Sequence, residues 1–336
     1  MTSEILQDRS RTGKERPWRD HKVSNELLAL AYDEVRPEKA KRLRTCASWL
    51  SFEQLPDGTK RLVNTFFCRV RLCPMCSWRR SLKVASQMYA IMDAIKADRP
   101  VAYILLTLTQ RNCEPEDLDN EITLVLKAFN ALTRLKAFKR AVLGCYRALE
   151  IDHNLIAGDR YYGTYHPHIH ALLAVNPSYF TGRDYISQAR WTDMWRQCLG
   201  LDYTPIVHVE RVKGDTAAAV AEVAKYGVKS KDYVIPDDWE MTLDTVRLLD
   251  TVLNKRRFVA FGGIFRDYHR KLNLQDAEAG DLIHIDGETP PEKPVYKQIH
   301  FAWFSGYRQY RQDDAAPVGK QQTRRRALRR PDKEGV

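Results

Sequence analysis

His168 and His170 stand two apart in the stretch His166-Pro-His-Ile-His170, just ahead of the apolar run Ala171-Leu-Leu-Ala-Val175. That run has the length and composition of a buried strand. Side chains alternate faces along a strand, so the two imidazoles project together while Ile169 packs on the other side. Two convergent imidazoles are half of a metal site, which a carboxylate or a further nitrogen from a neighbouring element would complete. Histidines at a strand end can equally serve as plain hydrogen-bonding groups, and the pentapeptide alone does not separate the two readings. His166 shares the face of the pair only if the strand stays regular through Pro167, so it stands outside the ligand pair.

A carboxylate is at hand. Residues 144–152 read as a strand ending in Arg147-Ala-Leu-Glu-Ile-Asp152, and a turn over 153–160 would return the chain with Glu150 beside the histidines. Asp152 shares that face on a regular strand and competes for the same place. Two histidines and a carboxylate with open positions suit Mg2+ or Mn2+ chemistry on a phosphate substrate. Farther on, Glu222, Tyr226 and Lys229 follow one another at spacings of four and three, which puts them on one stripe of a helix expected over 215–231. Asp215 is its expected N-cap. A phenol with a pKa of about 10 is a poor nucleophile at neutral pH, and a cation one turn away with a metal nearby would favour the phenolate. The same stripe is also what an ordinary exposed helix face looks like. Tyr233, just before Val-Ile-Pro, is the rival nucleophile.

The cysteines carry a second signal. Cys73-Pro-Met-Cys76 is a CxxC knuckle, with Cys68 shortly before it and Cys46 upstream. Four thiolates in this pattern can close a tetrahedral structural Zn2+ site. Arg69, Arg71, Arg79, Arg80 and Lys83 stud the same segment beside Trp78, so the knuckle is expected to face nucleic acid. Cys113, Cys145 and Cys198 are scattered and read as ordinary thiols.

The elements that must position these groups follow from periodicity. Strands are expected over 101–109, 144–152, 166–175 and 205–212, and helices over 118–132, 184–199 and 215–231. Trp191 and Trp195 are four apart and belong on the core side of their helix. The order β-α-β-β-α-β is the ferredoxin-like arrangement of an α+β fold, a central antiparallel sheet with helices against one face. Five regions result: an N-terminal arm (1–45), unordered to about residue 20 with a short helix around Asn25–Val35; a cysteine-rich zinc-binding segment (46–98); a core (99–235); a helical C-terminal region (236–316) for DNA or host factors; and a basic disordered tail (317–336).

Bulk properties narrow the class. With 44% hydrophobic and 29% charged residues over 336 positions, the composition is that of a globular protein with a real core. No apolar stretch reaches the roughly 18 residues of a membrane span, and the first residues lack the apolar segment of a secretory signal, so a cytoplasmic location is expected. Cysteines in a reducing compartment suggest metal ligands and free thiols. A net charge of +11 points to a polyanionic partner, nucleic acid first of all. Part of that excess is local to the arginine-rich tail.

With these pieces in place the chain resembles the replication initiators of small rolling-circle plasmids of the Gram-positive type, within the HUH endonuclease superfamily. Phe67-Cys-Arg-Val-Arg-Leu-Cys-Pro-Met-Cys-Ser-Trp-Arg-Arg-Ser-Leu-Lys83 is similar to the cysteine segment of that family. Leu106-Thr-Leu-Thr109 resembles its first motif, His166-Pro-His-Ile-His170 its metal-binding second, and Glu222-Val-Ala-Lys-Tyr226-Gly-Val-Lys229 its third. Arg256-Arg-Phe-Val-Ala-Phe-Gly-Gly-Ile-Phe265 is also similar to a family segment. The likeness runs from about Cys46 to Asp281.

The resemblance implies an HUH nuclease core in which Tyr226 attacks an origin phosphodiester and stays joined to a 5′-phosphate. It implies that His168, His170 and Glu150 hold Mn2+ or Mg2+, and that Glu222 activates a water in termination. Lys229 belongs with this catalytic set, Zn2+ with Cys46, Cys68, Cys73 and Cys76, and DNA with Arg69, Arg71, Arg79, Arg80 and Lys225. Plasmid origin DNA, single-stranded or as a hairpin, is the implied partner. Host helicase and polymerase act downstream, and a homodimer is left open. Conjugative relaxases and single-strand transposases share the chemistry, but relaxases usually lack the cysteine segment and those transposases are shorter. A non-catalytic zinc-bearing DNA-binding regulator is the alternative of another class, with the histidines and Tyr226 structural.

Overall fold

The computed structural model describes residues 4–10, 13–214, 216–224, 227–235, 237–285 and 297–313. Two helices, α1 (Trp18–Val35) and α2 (Pro37–Thr45), precede a hairpin of β1 (Trp49–Gln54) and β2 (Lys60–Asn64). The long α3 (Pro74–Asp98) leads into β3 (Ala102–Leu108), α4 (Leu118–Leu132), α5 (Lys136–Ala141), β4 (Val142–His153) and β5 (Tyr165–Val175). Then come α6 (Gln188–Leu199), β6 (Val207–Arg211), α7 (Ala217–Val223), α8 (Trp239–Val252), β7 (Val259–Gly263) and α9 (Ile264–Lys271). The last strands are β8 (Lys297–Phe304) and β9 (Gln309–Gln312).

Every residue from Ala171 to Val175 is fully buried. A strand apolar on both faces belongs in the middle of a covered sheet, and β5 lies there. The sheet order is β6-β3-β5-β4-β7 with every pairing antiparallel. The four strands legible in the sequence therefore stand as fourth, first, third and second, with β7 added at the edge. Helices α4 and α6 pack on each other. Their buried stripes are Ile122, Val125, Phe129 and Leu132 on one, and Trp191, Met194, Trp195 and Leu199 on the other. Each such large apolar side chain contributes roughly 1.5–3 kcal/mol by leaving water. The indole of Trp195 also donates to the Thr109 carbonyl at 2.8 Å, which ties α6 to the end of β3.

A second antiparallel sheet, β2-β1-β8-β9, joins the two ends of the described chain. Trp18 meets Phe52 and Trp78 edge-on, with ring centroids 6.0 and 4.7 Å apart, and Phe52 meets Phe301 at 6.1 Å. Asp250 at the end of α8 receives the Tyr32 hydroxyl (2.6 Å), the Arg36 guanidinium (3.0 Å) and the Lys39 ammonium (2.6 Å). That carboxylate is buried and triply satisfied, and it locks α1 and α2 onto α8.

Several expectations are corrected. The N-terminal arm is helical from Trp18 onward, because Trp18 is buried in the aromatic cluster and its indole donates to Asp8 at 2.7 Å. The C-terminal region, expected to be helical, holds α8 and α9 but also three strands, and β8 and β9 pair with the cysteine-rich segment through β1. The helix expected over 215–231 spans only Ala217–Val223. Asp215 and the tail 317–336 lie outside the described residues.

Candidate functional site

Strand register assembles the site. Glu150 lies opposite His168 across β4 and β5, Asp152 lies opposite His166, and Thr107 of β3 lies opposite His170. Paired residues share a face of the sheet. The Glu150 Oε2 is 3.3 Å from His170 Nε2 and 3.7 Å from His168 Nε2, and the two imidazole nitrogens are 3.2 Å apart. A cation with ligands at about 2.1 Å requires donor atoms about 3.0 Å apart in an octahedron or about 3.4 Å in a tetrahedron. Two of the three separations lie between these spacings, and the 3.7 Å between Glu150 and His168 is slightly wider than either. All three residues are buried. Of the two candidate carboxylates, Glu150 lies within 4 Å of both His168 and His170, while of that pair Asp152 comes that close to His168 alone, at 3.9 Å.

The neighbours fix the imidazoles. His168 Nδ1 lies 3.0 Å from the His166 carbonyl, which only accepts, so this nitrogen carries a proton and Nε2 is the one left to ligate a cation. His170 Nδ1 is 3.2 Å from the Thr107 hydroxyl. The strand runs regularly through Pro167, and His166 does share the face, stacking on His168 with centroids 5.0 Å apart. Its Nε2 is engaged by the Gln110 carbonyl at 2.9 Å. Asp152, His166 and His168 form a second, overlapping group of ligand type.

Lys229 reaches this platform by a route the sequence did not suggest. Its ammonium lies 2.6 Å from Glu150 Oε1 and 2.9 Å from Asp152 Oδ1. The expected stripe of Glu222, Tyr226 and Lys229 on one helix is corrected, because α7 stops at Val223 and Lys229 has extended backbone. Gly227 explains the change of course. Its φ is +61°, and a β-carbon there would stand 2.2 Å from the Phe258 ring. Its carbonyl accepts from the Ile151 amide at 3.0 Å, and it bridges to Glu150 in parallel fashion. The chain is thereby pinned along β4. Tyr226 and Lys225 lie outside the described residues.

Glu222, on α7, points back at the histidines with Oε1 3.5 Å from His170 Nε2. Tyr233, the rival nucleophile, is fully buried, and its hydroxyl donates to the Leu72 carbonyl. Burial pushes its pKa well up, so it is not available to attack a substrate. Burial also works to raise the Glu150 carboxyl, but contacts with His168, His170 and Lys229 outweigh it and hold the group well below the usual carboxylate range. Opposite in sign is Asp232, which the sequence reading missed. Burial, reinforced by Asp152, lifts it to about 6. Among the described residues, Glu150, Asp152 and Glu222 bring three carboxylates to the site and Lys229 is the ammonium that pairs with two of them, a balance that favours a divalent cation.

The four cysteines converge. The Cys46 Sγ is 3.5 Å from that of Cys73 and 3.8 Å from that of Cys76, and Cys68 is 3.8 Å from Cys76. A tetrahedral ion with about 2.3 Å bonds to sulfur requires sulfurs about 3.8 Å apart, so the set fits a four-thiolate centre. Backbone amides of Cys68 and Arg69 donate to sulfurs of Cys46 and Cys76 at 3.4 and 3.3 Å. Two α1 residues unforeseen from sequence complete the shell. Asn25 donates to Cys73 Sγ at 3.3 Å, and buried Lys22 donates to the Cys46 carbonyl at 2.7 Å. A Lys and an Asn on a helix give no sequence signal for this role.

The arginines expected on DNA are mostly turned inward. Arg79 is fully buried, donating to the carbonyls of Leu282 and Ile283 at 2.8 Å, and Arg80 is buried against the Glu278 carbonyl. These two are corrected to structural roles, since a buried guanidinium cannot meet a phosphate. Arg71 pairs with Glu278 at 3.0 Å, and Arg69 is exposed with its guanidinium on the carbonyls of Ala279 and Gly280.

The structure thus defines a protein with two centres capable of holding metal: one closed by four thiols, the other open beside a helix carboxylate. A family model described as "Replication protein" matches residues 59–311. Among curated relatives, a "Protein rep" of Bacillus amyloliquefaciens is 39% identical over 91% of this chain and 96% of its own length. One from Lentilactobacillus hilgardii is 36% identical over 90% and 97%, and one from Streptococcus pneumoniae serotype 2 (strain D39 / NCTC 7466) 35% over 85% and 88%. The chain belongs to this family of plasmid replication initiators. No solved structure matches it. No helix among the described residues is long and apolar enough to cross a membrane.

Proposed function

We propose that this initiator nicks and rejoins plasmid origin DNA with Tyr226 as nucleophile, in the cytoplasm, on a core of the ferredoxin-like HUH type. The observation that carries the reading is the Glu150–His168–His170 platform, with Gly227 bridged to Glu150 so that the chain on one side of Tyr226 is fixed beside it. The antiparallel strand order fourth-first-third-second supports that core. Bound at the platform, Mn2+ or Mg2+ would supply Lewis-acid polarisation of the scissile phosphate. The chain's own groups do the rest. The Tyr226 phenol loses its proton and its oxygen bonds to phosphorus in line, while the P–O3′ bond breaks and O3′ leaves with the electron pair and takes up a proton. A 5′-phosphotyrosine and a free 3′-hydroxyl result, the latter a primer for host polymerase. His166 and Thr107 hold the two ligand imidazoles in place. Lys229 neutralises part of the carboxylate charge, and Glu222 takes the proton from a water whose oxygen bonds to phosphorus at the regenerated origin as the P–O3′ bond breaks and O3′ leaves and takes up a proton, which ends the cycle. Zn2+ is the ion proposed for the four thiolates, where it would fasten α1, α2 and α3 together.

Incubation with Mn2+ and labelled single strands tiling the plasmid's origin, followed by a denaturing gel, tests this. The wild type is expected to form a covalent adduct that Tyr226→Phe abolishes. Absence of any adduct from the wild type refutes the nuclease reading and leaves a zinc-bearing DNA-binding regulator. Metal analysis finding no zinc would remove the second centre.

A further inference from the structure

Away from the histidine platform, a cleft of about 580 Å3 lies between α2, the cysteine knuckle, the C-terminal end of α8 and residues 276–279. None of the residues of the nicking site lines it. Leaving aside the buried Arg80, basic side chains on its walls outnumber acidic ones six to three. The three acids are already committed. Asp250 holds Arg36 and Lys39, Asp276 holds Arg257 at 2.8 Å, and Glu278 holds Arg71 at 3.0 Å while accepting the Phe258 and Val259 amides. Arg42, Arg69 and Lys255 make no ion pair among the described residues. Arg42 and Arg69 are instead held by backbone carbonyls, of Cys68 for the first and of Ala279 and Gly280 for the second. Those carbonyls aim the guanidinium groups without cancelling their charge.

Two of these cations sit where the backbone favours another residue. Arg69 and Lys255 have φ of 57° and 59°. The left-handed region costs a residue with a β-carbon roughly 1 kcal/mol, and glycine is the inexpensive occupant. Lys255 stands in the turn that leaves α8, two residues past its C-cap Leu253. Arg69 stands in the knuckle, where the turn aims its amide at Cys76. Both cations face one cleft, and strain retained at exposed, charged positions points to a use for the charge.

We infer that this cleft binds the phosphodiester backbone of the origin DNA outside the nick, as an anchoring surface separate from the catalytic platform. Its lining is cationic and nearly free of aromatic groups, which suits phosphates rather than bases. Cations on three elements spread along the cleft suit several phosphates in succession better than one small anion. The inference rests on the reading that DNA is the substrate.

Lys255→Gly is the informative substitution, because it removes the charge and relieves the backbone. The full chain and the variant are titrated with a fluorescent duplex of about 30 base pairs across a range of salt. Each lost phosphate contact removes about 0.9 from the salt slope, hence about eightfold in affinity at 0.1 M salt. Lys255→Gly is expected to melt no lower than the wild type, to bind about eightfold more weakly and to lose that increment of slope. Lys255→Glu should lose more. Unchanged affinity and slope in both variants overturns the cleft. So does full displacement of the duplex by about 10 mM inorganic phosphate at constant ionic strength, which would mark a small-anion site. Adduct formation on a short single strand spanning only the nick separates the two proposals. A wild type that forms adduct while Lys255 variants bind normally sinks the cleft alone. No adduct with weakened Lys255 variants sinks the nicking reading alone.

Discussion

The Cys46–Cys68–Cys73–Cys76 cluster and the Glu150–His168–His170 cluster are both buried, yet they stand in opposite relation to the scaffold. The thiols come from the end of α2, a loop and the start of α3, segments that no strand pairing holds at that point. Their partners are amides and one Asn amide, and four equal ligands leave no position open. The Glu–His–His set comes from two strands hydrogen-bonded over their whole length, so the sheet positions it whether or not an ion is present. It also keeps neighbours of unequal kind: a helix carboxylate, a second aspartate and a lysine. One cluster can lend an ion's binding energy to folding, whereas the other can lend it to a substrate.

The largest expected effect is on the thiols. Structural zinc contributes on the order of 10–16 kcal/mol in small domains, so losing one ligand here should remove at least about 4 kcal/mol of stability. Cys76→Ser is expected to lower the denaturation midpoint sharply and to open residues 46–98 to limited proteolysis. Next comes His170→Ala, which should suppress adduct formation about a thousandfold, roughly 4 kcal/mol of transition-state stabilisation, while unfolding stability falls by at most about 2 kcal/mol. A His170→Ala protein as unstable as Cys76→Ser would erase the distinction between the two centres.

A third effect sharpens the comparison through pH. Asp232 sits near the open platform with its pKa lifted to about 6 from an ordinary 3.8, by burial first and by Asp152 second. Between those values the folded chain keeps a proton that the unfolded chain has released. The charged carboxylate therefore destabilises the fold fully above pH 6, progressively less as pH falls toward 3.8, and not at all below it. Asp232→Asn should add roughly 2–3 kcal/mol at pH 8 and almost nothing near pH 4, read by urea denaturation at both. An equal gain at the two pH values would mean that packing, not charge, is responsible.

How much of this was legible beforehand follows the same division. Sheet strands with strict alternation or continuous apolar runs, such as 101–109 and 166–175, announce themselves, and so does the face shared by His168 and His170. Trp191 and Trp195 four apart likewise gave the buried side of α6 correctly. Features decided by distant partners did not. Strands β8 and β9 exist because β1 offers an edge far back in the chain, and nothing local in Lys297–Phe304 says so. The stripe of Glu222 and Lys229 looked helical because spacing cannot register that Gly227 must take a positive φ against Phe258. The basic knuckle read as a DNA face because a sequence does not show that Arg79 and Arg80 are buried against residues 278–283.

The smallest expected effect bears on Thr107, which the motif Leu106-Thr-Leu-Thr109 contains but to which spacing assigned no role. Register places it opposite His170, with its hydroxyl 3.2 Å from Nδ1. If the sheet alone orients the platform, Thr107→Val, nearly the same shape, should leave Mn2+ affinity unchanged. If the hydroxyl orients the ring, the variant should lose about tenfold in Mn2+ affinity, about 1.4 kcal/mol, as partners of metal-bound imidazoles commonly do. We expect the loss, with Thr107→Ser restoring most of it. A loss that Thr107→Ser also shows would point to packing of the methyl group instead. Calorimetric titration of Mn2+ separates these cases even where activity is too low to measure. The sheet-held platform would then still require one side chain from a third strand to aim its ligand, unlike the cysteine cluster.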